Sequence, residues 1–270
     1  MNSKTVSNTL LRWAGGKNWM IEQIRSIMPI DYENYHEPFV GGGSVFFNLS
    51  RKGKSFISDT NEELIFFYQQ VKDNLDELLN LLGAFKNSEK EYYIVREWQP
   101  ETELEIAARF YYLNRTCFNG LYRVNQVGRF NVPYGFRKIP IVDIGRFTNF
   151  HLTLQDAEIS CFDFERAIKK VKKGDFVFLD PPYTVAHNKN GFIEYNQKLF
   201  LWTDQERLCQ AVKYLIKKDA YILITNAFHD SIKKLYINVG KHLEIERFST
   251  ISGKMASRQR ISELIITNCL

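Results

Sequence analysis

Residues 176–183 read Phe-Val-Phe-Leu-Asp-Pro-Pro-Tyr, a short apolar run closed by a carboxylate, two prolines and an aromatic ring. Pro181 biases Asp180 toward an extended backbone, and the consecutive rings of Pro181 and Pro182 stiffen the turn that follows. The pattern offers two acceptors, the Asp180 carboxylate and the Pro181 carbonyl, beside the face of Tyr183. These groups match a planar heterocycle with an exocyclic amine: the acceptors take its two hydrogens and the ring stacks. The lone pair of such an amine is conjugated with its ring, so hydrogen bonds that draw the hydrogens out of plane would turn it toward an electrophile. A second constellation, Glu37-Pro38-Phe39-Val40-Gly41-Gly42-Gly43-Ser44, puts glycines between a strand and a helix, where backbone can approach a ligand closely. Asp59 follows near the offset at which an acid grips ribose hydroxyls. Together these residues point to an adenosine-containing cofactor, with NAD and S-adenosylmethionine both qualifying.

Both constellations need strands that end where a ligand can lie. Apolar spacing and turn residues predict a glycine turn at 11–17, a helix over 19–27, a strand over 35–40 and a helix beginning at 45–49. A strand over 54–58 and one long helix over 61–82 follow. Regular alternation stops between 85 and 158, where helices at 92–98 and 104–113 precede a loop-rich stretch holding Gly120, Gly128, Pro133, Gly135 and Pro140. It resumes with a strand at 159–162, a helix at 164–171, a strand at 175–179, a helix at 204–216, a strand at 221–225 and a helix at 231–236. Segments 243–248 and 261–267 form a closing strand pair. Strands alternating with helices define an α/β fold, a parallel sheet with helices on both faces, whose ligands bind beyond the carboxyl ends of the strands. The central block is too long and irregular for a plain loop and reads as an inserted, mainly helical subdomain.

The 270 residues are 44% hydrophobic and 25% charged, which excludes a disordered tail, a collagen-like rod and a disulfide mini-protein. No apolar run approaches a bilayer span, and residues 1–11 lack a signal-peptide core, so a cytoplasmic location without a membrane partner is expected. Cys117, Cys161, Cys209 and Cys269 form no CxxC pair, and the five histidines form no HxxxH or HExxH spacing, so no metal is expected. The net charge is +5, yet residues 106–142 contain no Asp or Glu while carrying Arg109, Arg115, Arg123, Arg129, Arg137 and Lys138. A second acid-free run, 247–262, holds Arg247, Lys254, Arg258 and Arg260. Positive charge concentrated in this way suits a phosphate backbone.

Asp180-Pro181-Pro182-Tyr183 resembles the DPPY motif of amino-methyltransferases that act on adenine N6. Phe39-Val40-Gly41-Gly42-Gly43 resembles their S-adenosylmethionine motif, and Arg12-Trp13-Ala14-Gly15-Gly16-Lys17 the N-terminal motif of the Dam-type DNA adenine methylases. Motif order is that of their alpha group. Asn119-Gly120-Leu121-Tyr122-Arg123, Phe130-Asn131-Val132-Pro133-Tyr134-Gly135 and residues 257–267 extend the resemblance essentially end to end. It implies a Rossmann-like methyltransferase sheet, residues 1–85 and 158–270, with a target-recognition domain inserted at 86–157. It implies S-adenosylmethionine as methyl donor, S-adenosylhomocysteine as product and double-stranded DNA as substrate; one site on a monomer suffices for one methyl per strand, so a monomer, at most a weak dimer on DNA, is expected. By the same resemblance Trp13 and Lys17 contact the cofactor, Asp59 holds its ribose, Asp163 and Phe164 border its adenine, and Phe39 lies near its methionine end. Gly41 and Gly43 shape the loop, and Asp180 serves both the cofactor amine and the target amine. Phe118 wedges into the duplex, Asn119 supports the opened site, Leu121 and Arg123 read bases of GATC, and Arg12 and Pro133 contact further bases.

Independent physics agrees in part, since Arg forks onto guanine O6 and N7, Leu suits a thymine methyl, and an aromatic wedge offsets unstacking. The resemblance assigns a phosphate contact to Arg137, although the tail Gly135-Phe136-Arg137-Lys138 departs from relatives that place Arg directly after Gly. Segment 184–198 is expected to close over a flipped base. The rival readings are an RNA-adenine or protein-glutamine methyltransferase, a nucleotide-dependent dehydrogenase and a non-catalytic DNA-binding module. The first usually has Asn in place of Asp180 and no inserted basic block; each of the last two leaves Asp180-Pro181-Pro182-Tyr183 idle.

Overall fold

The computed structural model describes residues 9–120, 122, 123, 125, 129–184, 200–248 and 260–270. Among the described residues seven strands make one sheet: β1 (Tyr35–Glu37), β2 (Ser55–Asp59), β3 (Ala157–Cys161), β4 (Phe176–Leu179), β5 (Tyr221–Ala227), β6 (Lys241–Phe248) and β7 (Arg260–Thr267), in the order β3-β2-β1-β4-β5-β7-β6. The described helices are α1 (Ile21–Ile27), α2 (Glu62–Asp73), α3 (Leu75–Ala84), α4 (Glu89–Glu97), α5 (Glu103–Thr116), α6 (Ile144–Leu154), α7 (Phe164–Ala167), α8 (Trp202–Lys217) and α9 (Asp230–Leu235). This is the α/β class expected from the alternation. By compactness the chain divides into a first unit, Met1–Glu22, Val40–Ser50 and Ile57–Phe162, and a second, Gln23–Phe39, Arg51–Phe56 and Asp163–Leu270.

In the second unit β4 is buried along its whole length and runs parallel to β1 and β5, pairing His36 with Val177 and Leu179 with Ile224. Burial on both faces is why this strand reads as an unbroken apolar run. Leu208, Val212 and Leu215, one stripe of α8, pack with Val177, Leu179, Ile222 and Ile224 in the core. The Asp204 carboxylate accepts from the Leu201 N–H at 2.8 Å and closes the first turn of α8. Antiparallel β7 sets Ile265 opposite Thr225 and Glu263 opposite Ala227.

In the first unit α2 and α5 bury aromatic faces, with Phe67 stacked on Tyr111 at 5.1 Å. Thr102 and Glu105 cap α5 reciprocally. Three expectations change. The helix over 61–82 is two helices, broken at Asn74 (φ −137°, ψ 46°). Residues 45–49 form successive turns rather than a helix, with Phe47 N–H bonded to Gly43 O at 2.9 Å. Helix α6 lies inside the stretch read as loop-rich; the Asp143 carboxylate caps it by accepting from the Arg146 N–H at 3.2 Å.

Candidate active site

The second unit carries the residues suited to an amine. Asp180 leaves the carboxyl end of β4, and its Oδ1 accepts the Thr225 hydroxyl from β5 at 2.6 Å. Pro181 is buried, and Asp180, Pro182 and Tyr183 are half-buried. The Tyr183 hydroxyl donates to Glu263 Oε2 at 2.7 Å. Burial, followed by the nearby carboxylates of Glu263 and Asp180, pushes the Tyr183 phenol well above its ordinary range, so it stays a donor. Phe39 leaves the carboxyl end of the parallel neighbour β1 and stacks on Phe164 at 5.6 Å, with Phe200 edge-on at 5.8 Å. Asp163 caps α7 by accepting the Glu165 N–H at 3.0 Å, and the Arg207 guanidinium bonds Asp163, Glu165 and Asp204 while lying 5.0 Å over the Phe164 ring. Thr225, Glu263 and Arg207 were not singled out by sequence; each sits in a regular element without a local signature.

The first unit carries the glycine loop. Gly41 (φ 46°) and Gly43 (φ 68°) adopt left-handed backbone that a side chain would strain. A Cβ on Gly41 would lie 2.7 Å from Trp13 Nε1, so the indole covers the loop; the same ring stacks on Tyr122 at 6.0 Å. Asp59, at the end of β2, accepts the Gly41 N–H and the Asn61 N–H, each at 3.0 Å. Burial raises its carboxyl, partly opposed by these N–H donors. Lys17 is buried, its Nζ donating to Gly15 O at 2.9 Å and its N–H to Ser44 Oγ at 2.8 Å. In this unit a strand-end carboxylate beside a left-handed glycine loop combines an acceptor with close backbone approach to a ligand. Among the described residues no group of three or more His, Cys, Asp or Glu is placed to hold a metal.

The same unit holds the basic block. Phe118 N–H bonds Pro133 O, and Gly135 N–H bonds Thr116 O, both at 2.8 Å, around the Cys117–Tyr134 bridge. Phe118 is 55% and Phe136 70% exposed. Asn119 takes a left-handed backbone (φ 57°), and the Arg12 side chain lies against Gly120. Arg12 is pinned through its backbone, donating to Asn114 Oδ1 at 2.9 Å and accepting from Asn114 Nδ2 at 2.8 Å. Thus Arg12, Phe118, Asn119 and Pro133 lie together. Arg123 is exposed, its Nε donating to Asn131 Oδ1 at 3.1 Å, and Arg137 O accepts from Asn87 Nδ2 at 2.7 Å. Leu121 and residues 185–198 lie outside the described residues.

A glycine loop beside a strand-end acid and an Asp-Pro-Pro-Tyr turn at the end of a buried strand together mark an amino-methyltransferase. The chain belongs to the D12 class of N6 adenine-specific DNA methyltransferases, whose family profile matches residues 13–251. It is 38% identical over 268 residues to the type II methyltransferase M1.LlaDCHI of Lactococcus lactis subsp. cremoris, covering 95% of this chain and 94% of that one. It is 36% identical over 284 residues to the type II methyltransferase M.MjaIII of Methanocaldococcus jannaschii, covering 96% and 98%. It is 30% identical over 266 residues to the DNA adenine methylase of Serratia marcescens, covering 96% and 97%. The enzyme is an adenine-specific DNA methyltransferase.

Proposed function

We propose that the enzyme transfers a methyl group from S-adenosylmethionine to N6 of an adenine flipped out of double-stranded DNA, within GATC. The observation that carries this reading is Asp180, held by Thr225 at the end of β4 and followed by the Pro181 carbonyl and Tyr183. S-adenosylmethionine, when bound, supplies an electrophilic methyl carbon on a sulfonium that departs as a neutral thioether. Asp180 and Pro181 O accept the N6 hydrogens, Pro182 stiffens the turn that aims them, and Tyr183 stacks on the purine. The lone pair is thereby aimed, and orientation of this kind is worth up to ~7–11 kcal/mol in well-arranged systems. N6 becomes acidic only once it carries the methyl group. Asp180 therefore acts as an acceptor and positioner more than as a strong base, and the proton leaves N6 after the N–C bond has formed.

On the cofactor side, Trp13 and Lys17 contact the cofactor, Gly41 and Gly43 shape the loop around it, Asp59 holds its ribose, Asp163 and Phe164 border its adenine, and Phe39 lies near its methionine end. Residues 86–157 serve as the target-recognition insert. There Phe118 fills the space left by the flipped base, Asn119 supports the opening, and Arg12, Leu121, Arg123 and Pro133 contact bases. Arg137 contacts phosphate, in keeping with six cations and no acid across 106–142. The enzyme acts in the cytoplasm as a monomer that dimerises at most weakly on DNA.

The test is transfer of labelled methyl to two duplexes identical except for GATC against GTTC. Label on adenine N6 in the first duplex alone is the expected result. Equal labelling of both would discard the GATC specificity, and no label in either would discard the reading.

A further inference from the structure

Glu263 is a carboxylate buried to 2% exposure on β7, and nothing in the methyl-transfer chemistry above uses it. Removing a charge from water is costly unless the fold supplies partners or a task. Register places Glu263 opposite Ala227 on β5, and Thr225 lies two residues earlier on the same strand. Directly paired residues share a sheet face, and residues two apart on a strand share it too. Glu263 and Thr225 therefore work from one face: Thr225 bonds Asp180 at 2.6 Å, and Glu263 bonds the Tyr183 hydroxyl at 2.7 Å. Glu263 reaches the Tyr183 end of the four-residue turn, and Thr225 bonds both Asp180 and the Tyr183 side chain.

A tyrosine that only stacks on a base needs no partner at its hydroxyl. Bonding that hydroxyl to a carboxylate in a sheet strand pins the far end of the ring and with it both side-chain torsions. Ring plane and height are then set by the sheet rather than by the turn alone. We propose that Glu263 is a positioning residue for methyl transfer, anchoring the Tyr183 ring so that a stacked adenine presents N6 at the correct height. The inference rests on the reading that Tyr183 stacks on the target base. Misplacement by about an ångström in such a geometry costs roughly 10²-fold in rate.

The experiment is a double-mutant cycle on the full chain: Glu263→Leu, Tyr183→Phe and the pair, with single-turnover transfer to an adenine duplex, KM for S-adenosylmethionine and thermal unfolding measured for each. Expected are a single-turnover rate lowered roughly 10²-fold in either single variant, an unchanged KM for S-adenosylmethionine, and a double variant no slower than the slower single one. Glu263→Gln, which keeps an acceptor oxygen, recovers most of the lost rate. A Glu263→Leu enzyme at the wild-type rate, or losses that multiply in the double variant, overturns the inference while leaving the reading intact. A wild-type chain that transfers no methyl overturns the reading itself and the inference with it. Should Glu263→Leu fail to fold, Tyr183→Phe decides: it keeps the ring and loses the hydroxyl's bonds to Glu263 and Thr225, and a wild-type rate from it overturns the proposal.

Discussion

Asp175 and Asp180 flank the same strand, one just before β4 and one just after it, and their surroundings differ in kind. Asp175 is 1% exposed, and its oxygens accept the Asn34 N–H at 3.1 Å, Asn34 Nδ2 at 2.8 Å, the Lys172 N–H at 2.8 Å and His36 Nε2 at 2.9 Å. Every one of those donors belongs to the chain's own framework, so this carboxylate ties β1 to β4 at their amino ends. Asp180 is half-buried beside a proline carbonyl, with Thr225 on Oδ1. A saturated, sealed carboxylate stabilises a fold. One half-buried at the carboxyl end of a parallel strand lies where α/β sheets place their chemistry.

That contrast can be broken from either end. The largest effect is expected from Asp180→Ala, which should lower methyl transfer by roughly 10³-fold or more while leaving the unfolding temperature nearly unchanged. Asp175→Ala should do the reverse. It strips several buried donors of their acceptor, and each buried donor left unsatisfied costs about 1–3 kcal/mol, read as a lower denaturant midpoint with near-normal turnover in the folded fraction. Equal losses of stability from the two substitutions would erase the distinction.

Smaller effects sharpen it. Phe118→Ala removes an exposed ring that holds nothing in the core, so duplex affinity should fall by the ~1–3 kcal/mol of a lost base-stacking contact with no change in melting. His36, beside Asp175, should leave a pH signature. Burial holds its imidazole below its ordinary value of 6.5 despite the carboxylate. The unfolded chain then binds the proton more readily, so the stabilisation is complete above pH 6.5 and is lost as pH falls below it toward the folded value. His36→Gln should flatten that part of the stability profile, whose slope from one group is at most about 1.4 kcal/mol per pH unit. Arg207→Ala is expected to matter least. Its ion pairs with Asp163 and Glu165 are largely exposed and worth roughly 0.2–1 kcal/mol, so KM for S-adenosylmethionine should rise less than tenfold.

What the sequence made legible follows the same divide. β4 and the turn after it stand out because burial on both faces leaves an apolar run and because Pro181 constrains Asp180 locally. The left-handed Gly41 and Gly43 are likewise encoded where they act. The break between α2 and α3 is not, because the apolar period carries through Asn74 unchanged. The turns at 45–49 read as a helix because their residues have helical spacing; the Phe47 bond to Gly43 holds them as turns. Helix α6 had a usable sign in Asp143, a good N-cap, that the surrounding glycines, prolines and cations obscured. Glu263, Thr225 and Arg207 had none: an acid in an alternating strand looks solvent-facing until pairing with β5 shows what covers it. Long-range partners of this kind are a property of the pairing and not of any window of residues.

The most direct test of the central claim, that the carboxylate after β4 handles the target amine, is single-turnover transfer of labelled methyl to an adenine duplex by wild-type enzyme and Asp180→Ala, with the product digested to nucleosides. The account predicts label on N6 of adenine for wild type, and for Asp180→Ala a folded, duplex-binding protein that leaves the DNA unlabelled. Wild-type labelling by Asp180→Ala would contradict it.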